Sequence, residues 1–293
     1  MPAVVLDGEM PADAARRFVR SGQWVRIRRG AYVAAADLSA DRHLQERQVA
    51  LARATAVVRQ SRADVTFSHE TAAVVWGLPL ADPPTRTHLV QATRRSGEAA
   101  DDVARHLRAG AASDRQHVRG LPVTSLARTV VDCACRLGVR GGLVVADAAL
   151  AAGLDRESCT AVIERMPGAR GVRDARTVLE IADDGAESPG ESLSRLAILR
   201  SGFPPPVTQV AVETYLGTFW LDMGWPEWAL GVEFDGAVKY DDLPRDVVLA
   251  EKRRQEAIEE AGWHLVRLTF SDLRAPETIA ARLLRARRRA LAS

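Results

Sequence analysis

Residues 221–240 read LDMGWPEWALGVEFDGAVKY, and this stretch decides the fold of the last third of the chain. The apolar runs on either side of the WPEW turn predict a pair of strands. Into that pair the sequence sets three carboxylates, Asp222, Glu233 and Asp235. Side chains alternate across a strand, so Glu233 and Asp235 share a face while Val232 and Phe234 turn to a core. Asp222, across the turn, is placed to reach the same surface. Carboxylates clustered this way repel one another and call for a compensating cation. All-oxygen ligation suits Mg²⁺ or Mn²⁺. Such a metal activates water and neutralises charge on a phosphodiester. Lys239, six residues after Glu233 and past Gly236, is a candidate to hold the attacking water or stabilise developing charge. The same acids also read as edge-strand charges that face solvent and block association. Spacing leaves both readings open.

Working outward, ESPGESLSRLAILRSG (187–202) predicts a helix carrying Glu191, a fourth carboxylate if that helix packs over the sheet. FPPPVTQVAVET enters a strand, RDVVLAEKRRQEAIEEAG is a long helix, WHLVRLTF a last strand and APETIAARLLRARRRA a basic closing helix. The expected order is α-β-β-β-α-β-α.

Toward the front, PADAARRFVRSG (11–22) carries helix punctuation in Pro11, Asp13 and Gly22. QWVRIRRGAYV (23–33) reads as a hairpin with a basic tip. A helix bearing Arg16, Arg17 and Arg20, followed by a hairpin bearing Arg26, Arg28 and Arg29, is either the end of a winged helix that touches phosphate or a small α+β corner. In VTFSHETAAVVWGL (65–78), Ser68 reads as a helix N-cap rather than as part of a catalytic Ser68–His69–Glu70 cluster. THLVQA is a strand. Helices through LARTVVDCACRLG, GLVVADAALAAG, RESCTAVIERM and VRDARTVLEIADD join at Gly138, Gly153 and Gly168. This block holds no Gly-rich phosphate loop, no H-E-x-x-H and no nucleophile elbow.

Composition is that of a globular protein, at 47% hydrophobic and 27% charged residues. No apolar run approaches the roughly 18 residues that a membrane helix needs, and the start shows no signal-peptide pattern. Three cysteines, Cys133, Cys135 and Cys159, have neither disulfide nor zinc spacing, so buried thiols in a reducing cytoplasm are expected. Residues 1–130 carry 19 Arg against 13 acids, residues 174–260 carry 8 bases against 18 acids, and residues 261–293 carry 7 bases against 2 acids. Basic flanks around an acidic centre fit a nucleic-acid partner.

ESPGESLSR, PPPVTQV, LDMGWP, GVEFDGAVKY and EKRRQEAIEEAGWHLVRLT together resemble the very-short-patch-repair-like branch of the PD-(D/E)XK nuclease superfamily. The resemblance implies a restriction-endonuclease-like fold and divalent-metal-dependent cleavage of DNA. It maps the acid pair to Asp222 and Glu233 and the helix glutamate to Glu191. Where that family has a lysine, two residues past the glutamate, this chain has Asp235. The lysine's part then passes to Lys239, or to Lys252 on the following helix. RSGQWVRIRRGAYV, FSHETAAVVWGLPL and LPVTSLARTVVD resemble AbiEi-type antitoxins and transcription regulators, which open with a winged helix that binds promoter DNA.

The expectation is therefore an α/β protein of the α+β kind in three parts. These are a truncated winged-helix-like piece (1–40), an AbiEi-like α/β domain (41–184) and a nuclease-like domain (185–293). Glu191, Asp222 and Glu233 are expected to hold Mg²⁺ or Mn²⁺, with Asp235 and Lys239 assisting catalysis. Arg16, Arg17, Arg20, Arg26, Arg28 and Arg29 are expected to meet DNA. The alternative is a DNA-binding regulator or antitoxin whose nuclease fold has decayed. Expected partners are DNA and a cognate toxin protein, with no membrane and no small-molecule cofactor.

Overall fold

The computed structural model describes residues 1–61, 64–93, 100–108, 114–236 and 245–291. The protein mixes helices and sheets. It divides into two compact units, residues 1–149 with 154–180, and residues 150–153 with 181–293.

In the first unit, β1 (Val5–Leu6), α1 (Ala12–Arg20), β2 (Trp24–Arg28) and β3 (Ala31–Ala34) build a three-stranded sheet in the order β1-β3-β2. The expected helix and basic hairpin are both present. The β2/β3 register slips between Arg26 and Arg28. Gly30 then turns the chain at φ 69° with Asp7 packed close behind it, where a Cβ would lie 2.9 Å from Asp7 Oδ2. Val4, Ile27, Ala31 and Val33 pack on Ala52 and Ala56 of α2 (Arg42–Gln60). Burying side chains of this size contributes about 1.5–3 kcal/mol for each larger one. Residues 1–40 and the helix that follows thus share one core.

The next elements are β4 (Thr66–Phe67), α3 (His69–Trp76), β5 (Thr87–Gln91), β6 (Val103–Leu107), β7 (Arg115–Val118) and β8 (Leu121–Thr124). The five strands are ordered β6-β5-β4-β8-β7, with β5–β6 and β4–β8 parallel. Strands β6 and β7 carry too much charge to stand out as apolar runs. Helix α4 (Leu126–Ala151) is interrupted at Gly138, where φ 67° and ψ −172° are non-helical, so the expected helix joint is real. Helices α5 (Arg156–Glu164) and α6 (Val172–Ile181) follow. Cys133, Cys135 and Cys159 are free thiols.

The second unit runs α7 (Pro189–Arg200), β9 (Val207–Thr214), β10 (Gly217–Trp225), β11 (Leu230–Phe234), α8 (Arg245–Glu260), β12 (His264–Leu268) and α9 (Pro276–Ala290), the order anticipated. Its sheet is β12-β11-β10-β9. β11 and β12 are parallel across the α8 crossover, and the other pairs are antiparallel. Ile198 of α7 and Ile279 and Leu283 of α9 pack with Met223, Val232 and Leu268. Ile258 of α8 packs with Val210, Val212 and Leu221. Ser188 caps α7 by accepting from the Glu191 amide at 3.2 Å. At Gly190 a Cβ would lie 1.9 Å from the Phe234 ring, so the first turn of α7 rests directly on the end of β11. That approach fixes where Glu191 sits. Among the described residues, no helix is long and apolar enough to cross a membrane.

Candidate active site

The β10–β11 ladder runs Trp225↔Leu230, Gly224↔Gly231 and Met223↔Val232, then stops. One step on, the Phe234 amide donates to Asp222 Oδ2 at 2.6 Å. A side-chain carboxylate thus takes the place of a strand carbonyl. Asp222 therefore sits where the two strands part.

Burial raises the Asp222 pKa to about 6, and the charges of Glu191 and Glu233 push the same way, against the Phe234 hydrogen bond. Glu191 is 8% exposed, and its Oε2 accepts from the Glu187 amide at 2.7 Å. Glu233 Oε1 accepts from Arg254 Nη2 at 2.6 Å, and Arg267 Nε stands 3.7 Å from Oε2. Both arginines also pair with Glu251. Glu191 of α7 and Glu233 of β11 thus lie near enough to Asp222 of β10 for their charges to act on it, with a cationic brace behind Glu233. Among the described residues, one oxygen of Asp222 and one of Glu191 carry no protein donor. An all-oxygen set of this kind fits Mg²⁺ or Mn²⁺.

The other expected site residues fall differently. Asp235 follows the end of β11, half-buried, with its amide bonded to Leu268 O at 2.8 Å. Lys239 lies outside the described residues. Lys252 is exposed and pairs with Glu256 at 3.6 Å. Arg254, Arg267 and Glu251 escape a reading of spacing because they meet Glu233 only once α8 and β12 are packed. Glu251 and Arg254, three apart on one helix, are the visible trace of that network.

On the first unit, Arg16, Arg17, Arg20, Arg26 and Arg29 are exposed, and Arg16, Arg20 and Arg26 line a groove of about 690 Å³ beside Tyr32. Arg28 is corrected: its side chain is 10% exposed and its Nε lies 3.0 Å from Asp102 Oδ2, so it is committed inside the protein.

A second constellation, read at the sequence level only as a helix cap, lies in the same unit. Ser68 makes no side-chain cap bond to α3. Its hydroxyl instead lies 2.9 Å from His69 Nδ1, and His69 holds a left-handed φ of 51°. His69, His88 and His106 stack, with the His69 and His106 ring centres 3.8 Å apart. His88 Nδ1 is 2.9 Å from His106 Nε2. On its other side, His88 Nε2 faces the buried Glu70 carboxylate at 3.6 Å, and Arg136 Nε grips that carboxylate at 2.9 and 3.2 Å. Burial, aided by nearby arginines, lowers the pKa of each imidazole, that of His88 to about 4; neighbouring rings add to the effect at His69 and His88. The rings of His69 and His88 are therefore neutral near pH 7. His69 and His106 line a cavity of about 610 Å³ together with Arg108, Arg128, Asp132 and Cys135. Burial pushes the Cys135 thiol up to about 11, which leaves it protonated.

No protein-family model matches the chain. It is 33% identical over 183 residues to the uncharacterized protein Rv2248 of Mycobacterium tuberculosis (strain ATCC 25618 / H37Rv). The uncharacterized protein MT2308 of Mycobacterium tuberculosis (strain CDC 1551 / Oshkosh) matches equally. The match takes in 61% of this chain and spans 66% of the length of those curated relatives. Among solved structures, the RV2827C protein from Mycobacterium tuberculosis aligns over 71% of this chain and 79% of its own, at 17% identity and a TM-score of 0.37.

Proposed function

We propose that the protein acts on DNA in the cytoplasm and that its second unit hydrolyses phosphodiesters with a divalent cation. The observation that carries this reading is that the charges of Glu191 and Glu233 act on Asp222 at the parting of β10 and β11, with Asp222 raised to about 6. Carboxylates held in mutual repulsion are poised for a cation. Glu191 and Asp222 would hold Mg²⁺ or Mn²⁺ through their free oxygens, with Glu233 beside them. When bound, the metal supplies an activated water and screens the phosphate charge. Arg254 and Arg267 hold the Glu233 carboxylate in place, and the Phe234 amide orients Asp222. The exposed arginines of α1 and β2 suit DNA phosphates.

The test is incubation of the purified protein with supercoiled and linear DNA in Mg²⁺, Mn²⁺ or EDTA, beside Glu233→Ala. Metal-dependent nicking, lost in a variant that still melts cooperatively, is expected. Full activity in a folded Glu233→Ala overturns the proposal.

One observation favours a second reading, a DNA-binding regulator or antitoxin on a decayed nuclease fold. Arg254 already neutralises Glu233 at 2.6 Å, as a purely structural acid would be neutralised. That protein would bind one DNA sequence tightly with no metal present, and would cleave none.

A further inference from the structure

The histidine cluster of the first unit is separate from the carboxylate site and uses a different donor chemistry. We propose that His69, His88 and His106 bind a zinc-class divalent ion whose open coordination position faces the neighbouring cavity.

Three observations carry this. First, one ring nitrogen from each histidine lies within 4.8 Å of the others. Tetrahedral Zn–N bonds of about 2.0–2.1 Å place ligand nitrogens about 3.3 Å apart, so ligation needs the stacked rings to turn and their nitrogens to draw closer. The histidines come from three adjacent strands of one sheet or their ends: His69 just past β4, His88 on β5 and His106 on β6.

Second, the outer partners turn one nitrogen of each ring inward. His88 Nε2 faces Glu70 at 3.6 Å and His69 Nδ1 faces Ser68 at 2.9 Å. That leaves His88 Nδ1, His106 Nε2 and His69 Nε2 for a metal; the first two now share a hydrogen bond of 2.9 Å, whose proton a metal ion would displace. A carboxylate behind a ligating imidazole fixes its tautomer and raises its basicity. Glu70, 5% exposed and bound by Arg136, is built for that task. His69 is held in a strained backbone conformation, which its packing must support.

Third, three protein ligands with a fourth position open to a cavity is the arrangement of catalytic rather than structural zinc sites. The cavity of about 610 Å³ is lined by four arginines, Arg108, Arg128, Arg165 and Arg170, against Asp114 and Asp132. Among the described residues, Arg108 Nε and Nη2 are buried without a hydrogen-bond partner, while Nη1 pairs with Asp114 at 2.6 Å. The ligand that completes the metal's shell is therefore an anion. Imidazole donors select Zn²⁺ or its neighbours over Mg²⁺, so the two proposed sites take different ions.

The experiment is Co²⁺ titration of the EDTA-stripped full-length protein, followed by visible d–d absorption and then by Zn²⁺ displacement. One equivalent of Co²⁺ in a nitrogen-rich field, displaced by Zn²⁺, is expected. His106→Gln, at a half-buried position, should weaken binding more than about 100-fold, and Glu70→Gln about 10- to 100-fold. Glu233→Ala should leave the signal unchanged, which separates this site from the carboxylates. Either of two results overturns the proposal: no saturable Co²⁺ or Zn²⁺ binding by the folded wild type, or binding that survives intact in both His106→Gln and His69→Gln.

Discussion

The amide of Phe234 bonds the carboxylate of Asp222 at 2.6 Å, at the one step where β10 and β11 cease to pair through their backbones. Backbone and side chain are exchanged there, so the cluster is written into the sheet itself. Asp222 is both a hinge-pin of the strand pair and an acid whose pKa burial raises to about 6.

Asp222→Asn tests that double role through pH. The folded carboxyl titrates near 6, above its ordinary 3.8. Between those values the native state holds a proton that the unfolded chain has released, so stability falls as pH rises through about 6. The asparagine variant should lose this slope. Without metal at pH 7.5 it should match or exceed the wild type, by about 1–2 kcal/mol after allowance for partial exposure. Thermal melts from pH 4 to 8 in EDTA give the answer.

Gly190→Ala should destabilise the second unit by about 1–3 kcal/mol, because its Cβ would meet the Phe234 ring at 1.9 Å. Since Glu191 is the next residue, cleavage should fall with it. A urea titration read beside the nicking assay separates the two effects.

How far these features were legible depends on how local they are. The elements of the second unit are marked by Gly202, Gly262, the prolines and the apolar runs, and they fall in the expected order. The acids too announce themselves, since Glu233 and Asp222 interrupt strands. What spacing does not contain is the parting of β10 and β11, which depends on the side chain of Asp222 entering the ladder. The histidines were less visible still. His69, His88 and His106 share no motif, and only the β6-β5-β4 order brings them together. Ser68 is the N-cap residue of α3 as expected, but its hydroxyl meets the His69 ring instead of an α3 amide.

Arg254→Met should cost about 1–3 kcal/mol in EDTA, because a largely buried Glu233 loses its closest cation. Mn²⁺ should recover part of that loss by supplying the missing charge. Differential scanning calorimetry with and without Mn²⁺ measures both terms.

Arg20→Ala and Arg28→Ala should part company. Removing exposed Arg20 should weaken DNA binding and reduce the salt slope by about 1, with stability unchanged. Removing Arg28, paired with Asp102 at 3.0 Å, should leave the salt slope alone and cost about 1 kcal/mol of stability. Fluorescence anisotropy over a salt series, beside thermal melts, distinguishes them.

The central claim is that Glu191, Asp222 and Glu233 together hold a divalent cation. Mn²⁺ binding followed by electron paramagnetic resonance, in wild type and Asp222→Asn, tests it most directly. Stoichiometric binding that strengthens as pH rises through 6, and that is lost in the variant, is the predicted result. A folded wild type that leaves all Mn²⁺ free, or an Asp222→Asn protein that binds it undiminished, would contradict the account.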